Sequence, residues 1–81
     1  MSIIIDGIEQ TPKIWDDTTT ADVQYNFYPA KRSDANDLKY GVIEKIDLTA
    51  KTITYAGGTL EYDKDWAHRA DGTYTYGQIT E

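Results

Sequence analysis

Residues 42–63 read VIEKIDLTAKTITYAGGTLEYD, and the pair Gly57 and Gly58 near the end of this stretch sets the register around it. A two-residue hairpin turn requires positive φ at both central positions, which glycine adopts without steric penalty. With that turn, Ala56 faces Thr59, Tyr55 faces Leu60 and Ile53 faces Tyr62. Ile53, Tyr55, Leu60 and Tyr62 then share one face, while Thr54 and Glu61 share the other. A slip of one residue would mix the two sets, so the agreement of both arms about their apolar face supports strands. Upstream, Val42, Ile46 and Leu48 belong on the inner face, with Leu48 opposite Ile53 and Ile46 opposite Tyr55. Glu44 falls on the same parity, which calls for a bulge near Glu44 and Lys45 or a strand that begins at the sheet's rim. Residues 49–52 contain neither Gly nor Asn, and a four-residue loop built on a type I turn suits them.

The same pattern continues in both directions. Ile3, Ile4 and Ile5 precede Asp6 and Gly7, a favoured pair for a type I′ turn, and Ile8, Glu9 and Gln10 return; pairing Ile5 with Ile8 sets Ile4 beside Glu9. Pro12 cannot donate to a ladder and marks a strand end or edge. Ile14 and Trp15 read as an anchor before a polar loop over residues 16–22. Residues 22–28 alternate cleanly, Val23, Tyr25 and Phe27 inward and Gln24, Asn26 and Tyr28 outward, and Pro29 closes the strand. Residues 30–39 are polar, with Ser33 placed as an N-cap for a short turn, and read as a long loop. Residues 64–70 fit one helical or 3-10 turn with Trp66 as its buried plug. Asp71 and Gly72 turn the chain into a strand over residues 73–76, and Gly77 fits a bulge that returns Ile79 to the tyrosine side.

The expected object is all-β: a small antiparallel barrel or bent sheet of five to seven strands with one short helical turn. The strand lengths and the single turn before the last strand resemble an SH3-like barrel. At 81 residues the chain is one domain, 1–81, near the lower limit for folding without staples. No cysteine is available, and the core must come from a 40% hydrophobic composition that includes seven Tyr, two Trp and one Phe. The lack of cysteine, of a basic leader and of any apolar run of about 20 residues predicts a complete, cytoplasmic chain that neither spans nor binds a membrane.

Fourteen acidic residues against eight Lys and Arg give a formal charge of −6. A field of that sign disfavours direct nucleic-acid binding and favours a protein partner with a basic surface, although acidity also serves solubility alone. Catalysis has little to draw on. A Ser-His-acid triad would have to combine His68 with Ser2 or Ser33, both in terminal or loop segments, so His68 reads as a surface residue. The acidic pairs Asp16 with Asp17 and Asp63 with Asp65 lack the order of a calcium loop, and Gly57 and Gly58 lack the lysine and helix of a phosphate loop. No cofactor and no metal is expected. Tyr28, on the outward parity, forms with Asp16, Asp17, Asp34 and Asp37 the expected partner-binding patch, since tyrosine beside carboxylates suits protein recognition. The sequence therefore points to a non-enzymatic protein-binding module, in its sharper form an inhibitor or anti-defence protein of a phage or mobile element that blocks a basic, nucleic-acid-binding surface. The alternative is a structural subunit of a virus particle or secretion machine.

Overall fold

The structure is a computed structural model and describes residues 3–5, 7–29 and 39–79. Seven strands form among these residues: β1 (Ile3–Ile5), β2 (Ile8–Gln10), β3 (Ile14–Asp16), β4 (Val23–Pro29), β5 (Gly41–Asp47), β6 (Thr52–Ala56) and β7 (Tyr76–Gly77). One 3-10 turn, Trp66–His68, precedes the last strand. β1 and β2 make a two-stranded antiparallel sheet, and β3 to β7 make a second antiparallel sheet in chain order. The all-β class and the bent sheet are thus present. A closed, SH3-like barrel is not, because no ladder joins β3 to β7 among the described residues.

The five-stranded sheet is covered on both faces, which explains why β4, near its centre, is buried along most of its length. On one face Val23, Tyr25, Phe27, Ile43 and Ala56 pack with Trp66, and Ile14, Tyr74 and Tyr76 close the rim. Asp65 caps the 3-10 turn by accepting from the Ala67 amide at 3.0 Å, which delivers Trp66 onto Phe27 with ring centroids 5.6 Å apart. Trp66 is the plug its position implied. On the other face Ile5 of the first hairpin covers Tyr28 and Val42, joined by Ile3, Tyr55, Leu60 and Tyr62. Gln10 reaches across to the Tyr62 hydroxyl and ties that hairpin to residues 60–62.

Several registers agree with the sequence and several differ. Ile5 pairs with Ile8 and Ile4 with Glu9 as expected. Gly57 and Gly58 both take φ of +67°, yet they do not close a two-residue hairpin. The Gly58 amide donates back to the Tyr55 carbonyl at 2.8 Å, residues 59–63 leave the sheet, and β6 pairs with β7 instead, Tyr55 with Gly77 and Ala56 with Tyr76. The local turn preference loses to tertiary packing: Tyr76 packs against Tyr25, and its hydroxyl donates to the Arg69 carbonyl at 2.7 Å. Leu60 and Tyr62 still reach the same cluster as Tyr55, so their apolar alternation was informative while their partner was different. Gly77 sits in ladder register and forms no bulge.

β5 also runs without a bulge, paired with β4 from Val23 and Asp47 through to Pro29 and Gly41. Its pairing with β6 lies two residues from the expected one, Ile46 opposite Ile53 and Glu44 opposite Tyr55. The loop at 48–51 accounts for this shift. Asp47 Oδ1 accepts from the Thr49 and Ala50 amides at 3.0 and 2.9 Å, and Lys51 takes the left-handed conformation, φ 57°, without Gly or Asn. Residues 30–38, including the loop expected there, lie outside the described residues.

Candidate functional site

Pairing across β3, β4, β5 and β6 fixes which side chains share the second face of the large sheet. Tyr28 lies beside Val42; Trp15, Asn26, Glu44 and Tyr55 form the next row; Gln24, Ile46 and Ile53 form the row after that. Leu48 follows just beyond β5, its amide donating to the Asp22 carbonyl at 2.8 Å. Exposure rises toward the β6 end of these rows and at Trp15 on the edge strand. Tyr28, Asn26 and Glu44 have no accessible surface, Ile53 is 39% exposed, and Leu48 and Trp15 are each 62% exposed. The first hairpin covers one end of the face and leaves the other open.

A polar network lies at the boundary. Glu44 Oε1 accepts from Asn26 Nδ2 at 2.9 Å and from the Tyr28 hydroxyl at 3.0 Å, and Oε2 accepts from the Tyr55 hydroxyl at 2.9 Å. Three donors from two neighbouring strands are what let a carboxylate occupy an inward position without a bulge. Burial, and then the hydrogen bond and the negative charge of Glu44, hold the Tyr55 hydroxyl well above its ordinary pKa. Asn26 Oδ1 in turn accepts from Gln24 Nε2 at 2.8 Å, so the network runs from the core to a shallow surface depression lined by Thr11, Pro12, Trp15, Gln24 and Asn26.

β3 presents different groups to its two sides. Ile14 and Asp16 lie on the Trp66 face, and Trp15 lies on the other. Asp16 accepts from the Thr18 and Thr19 amides and hydroxyls and from Arg69 Nε at 3.0 Å. The Thr19 hydroxyl, the Thr18 amide and Arg69 keep its carboxyl far below the usual range. Arg69 also lies over the Trp66 ring, its Cζ 4.4 Å from the centroid, and its Nη1 donates to the Trp66 carbonyl at 3.0 Å.

The expected patch is therefore dispersed. Tyr28 is not on the surface: the β1–β2 hairpin covers the face that parity had marked as outward. Asp16 spends its carboxylate on its own loop and on Arg69, Asp17 is exposed, and Asp34 and Asp37 lie outside the described residues. Turn chemistry occupies other acids as well, since Asp65 caps the 3-10 turn and Asp71 accepts from the Thr73 amide at 3.0 Å. Asp63 pairs with Lys64 rather than with Asp65. His68 is exposed and bonds the Asp71 carboxylate in the open, and Ser2 and Ser33 lie outside the described residues. No group of three or more His, Cys, Asp or Glu side chains is arranged to hold a metal among the described residues. No helix there is long and apolar enough to cross a membrane.

Trp15 is the exposed feature that sequence reasoning placed wrongly. Ile14 and Trp15 are neighbours in an extended strand, so only one can face the Trp66 cluster, and the alternation of β4 decides which: Ile14 pairs with Phe27 and Trp15 with Asn26. Comparison of the chain with family models, with curated proteins and with solved structures found no match.

Proposed function

We propose that this chain is a non-enzymatic protein-binding module whose partner presents a basic surface, in the sharper form an inhibitor that occupies the nucleic-acid site of another protein. The observation that carries this reading is the exposed Trp15 on the edge strand β3, with the exposed Asp17 and Asp22 at the same end of β3 and β4, on a sheet that also exposes Ile53 and, just past β5, Leu48. An exposed tryptophan on a rigid strand is a strong anchor for a partner, because its large area desolvates at small entropy cost. Carboxylates around it steer a cationic surface toward it and repel phosphate.

Affinity capture from the native host, run at low and at high salt with the wild type and with Trp15→Ala, tests this. A basic partner held at low salt, released at high salt and missed by the variant is the expected result. Capture that ignores both salt and the variant would overturn it. The alternative, a structural subunit of a larger assembly, draws on the two-stranded sheet, which exposes Ile4 and Ile8 and joins no further strand among the described residues. A ring or filament at micromolar concentration would favour that reading, and a monomer would remove it.

A further inference from the structure

Resting on the protein-binding reading, we infer that Trp15 and Asp17 form a docking point for an arginine side chain of the partner. The molecule contains the same chemistry once already, with its own arginine in place. On the Trp66 face, Arg69 lies on an indole ring at 4.4 Å and donates Nε to Asp16 at 3.0 Å. The chain neighbours of Asp16 are again an indole and a carboxylate, Trp15 on the opposite side of the strand and Asp17 just past its end, both exposed. Strand alternation puts Trp15 on the side away from Asp16, and Asp17, exposed two residues from Trp15, stands in the bend that follows the strand.

The surroundings fit a guanidinium. The depression beside Trp15 is lined by Thr11, Pro12, Gln24 and Asn26, without a charged group among them. Gln24 turns its amide nitrogen to Asn26, itself held by the buried Glu44, which leaves Oε1 as the acceptor that Gln24 contributes. A planar guanidinium can stack on an indole while its edge donates to a carboxylate and an amide oxygen; an ammonium offers the charge without the plane. The net charge of −6 adds long-range attraction for a cationic segment.

The test uses the full chain, labelled with ¹⁵N, and short peptides that alternate glycine with arginine, lysine or citrulline. The arginine peptide shifts the Trp15 indole N–H resonance saturably and leaves that of Trp66 in place. The lysine peptide binds about two- to fivefold more weakly, as does the arginine peptide to Asp17→Asn, and the neutral citrulline peptide does not bind. Trp15→Leu, at an exposed position, keeps the fold and loses the shift of the Gln24 side-chain amide. Equal binding of arginine and citrulline peptides, undiminished binding to Trp15→Leu, or no Trp15 shift at millimolar peptide overturns the inference. The two readings fail separately. A captured partner that the arginine peptide does not displace leaves the binding module standing without its arginine, whereas a Trp15 that takes the peptide in a chain with no salt-sensitive partner leaves the docking point without the module.

Discussion

Tyr28 lies on the second face of the large sheet and Leu48 just past the end of β5, six residues beyond Val42, the partner of Tyr28, and only Tyr28 is covered. The difference does not come from the residues themselves, since both are large and largely apolar. It comes from the reach of the cover: β1 and β2 are three residues each, and with Leu60 and Tyr62 they span the rows of Tyr28 and Glu44 but not those of Ile46 and Leu48. A small chain has limited material for a third layer, and what stays open is then available to a partner.

Truncation should separate the two ends most sharply. Tyr28→Ala removes a buried ring and a donor to Glu44, and should cost about 3–5 kcal/mol in urea unfolding. Leu48→Ala should stay within about 0.5 kcal/mol. Comparable losses at both sites would mean that the open end is covered in solution. At the boundary between the ends, Glu44→Ala strands the donors of Asn26, Tyr28 and Tyr55 and should cost about 2–3 kcal/mol, while Glu44→Gln, which keeps an acceptor, should recover much of it. If Glu44→Ala proved neutral, the network would not be what organises the boundary.

The same comparison shows what was legible in the sequence. Period-two alternation identified β4 and β6 and placed Tyr55, Leu60 and Tyr62 in one apolar cluster, although residues 59–63 and 73–75, which alternate as strands do, lie in no strand. It could not say that the outward parity of β4 is also covered, since Asn26 and Tyr28 look solvent-facing until Ile5 arrives from a hairpin distant in sequence. Glu44 was readable as an anomaly, an acid on an apolar parity, but its donors sit on other strands and depend on a register set by Asp47 and Lys51. The turn at Gly57 and Gly58 shows the same limit: positive φ is local and came out as expected, whereas the choice between residues 59–62 and β7 as the partner of β6 was made by Tyr76. Of the candidate site, the net charge was legible, and the exposure of Trp15 and the burial of Tyr28 were not.

Two carboxylates carry the contrast between sheltered and open into pH. Asp16, its side chain only 9% exposed, is depressed in pKa by the Thr19 hydroxyl, the Thr18 amide and Arg69. A carboxyl lowered on folding stabilises the fold above its unfolded pKa, about 3.9, and that contribution is lost as the pH falls through the folded value. Asp16→Ala should therefore cost about 1–2 kcal/mol near neutrality and progressively less in acid, measured as urea midpoints across the acid range. A pH-independent loss would show that Asp16 acts through shape alone.

Asp71 and His68 make the corresponding pair on the open surface. The Asp71 hydrogen bond, then its charge, with a smaller contribution from Asp65 at 4.0 Å, raise the His68 pKa above its ordinary 6.5. For a group raised on folding the sign reverses: its contribution is complete below the unfolded pKa of about 6.5 and disappears as the pH rises through the folded value. Both side chains are about half exposed, so solvent screens the pair and the effect on stability should be the smallest of the set. The readout is accordingly the titration itself. The His68 ring proton should report a midpoint above 6.5 in the wild type, returning toward 6.5 in Asp71→Asn and in high salt. A wild-type midpoint at or below 6.5 would mean that the pair is open in solution, and that the turn after Trp66 is held by the Asp65 cap and the Tyr76 hydroxyl without help from charge.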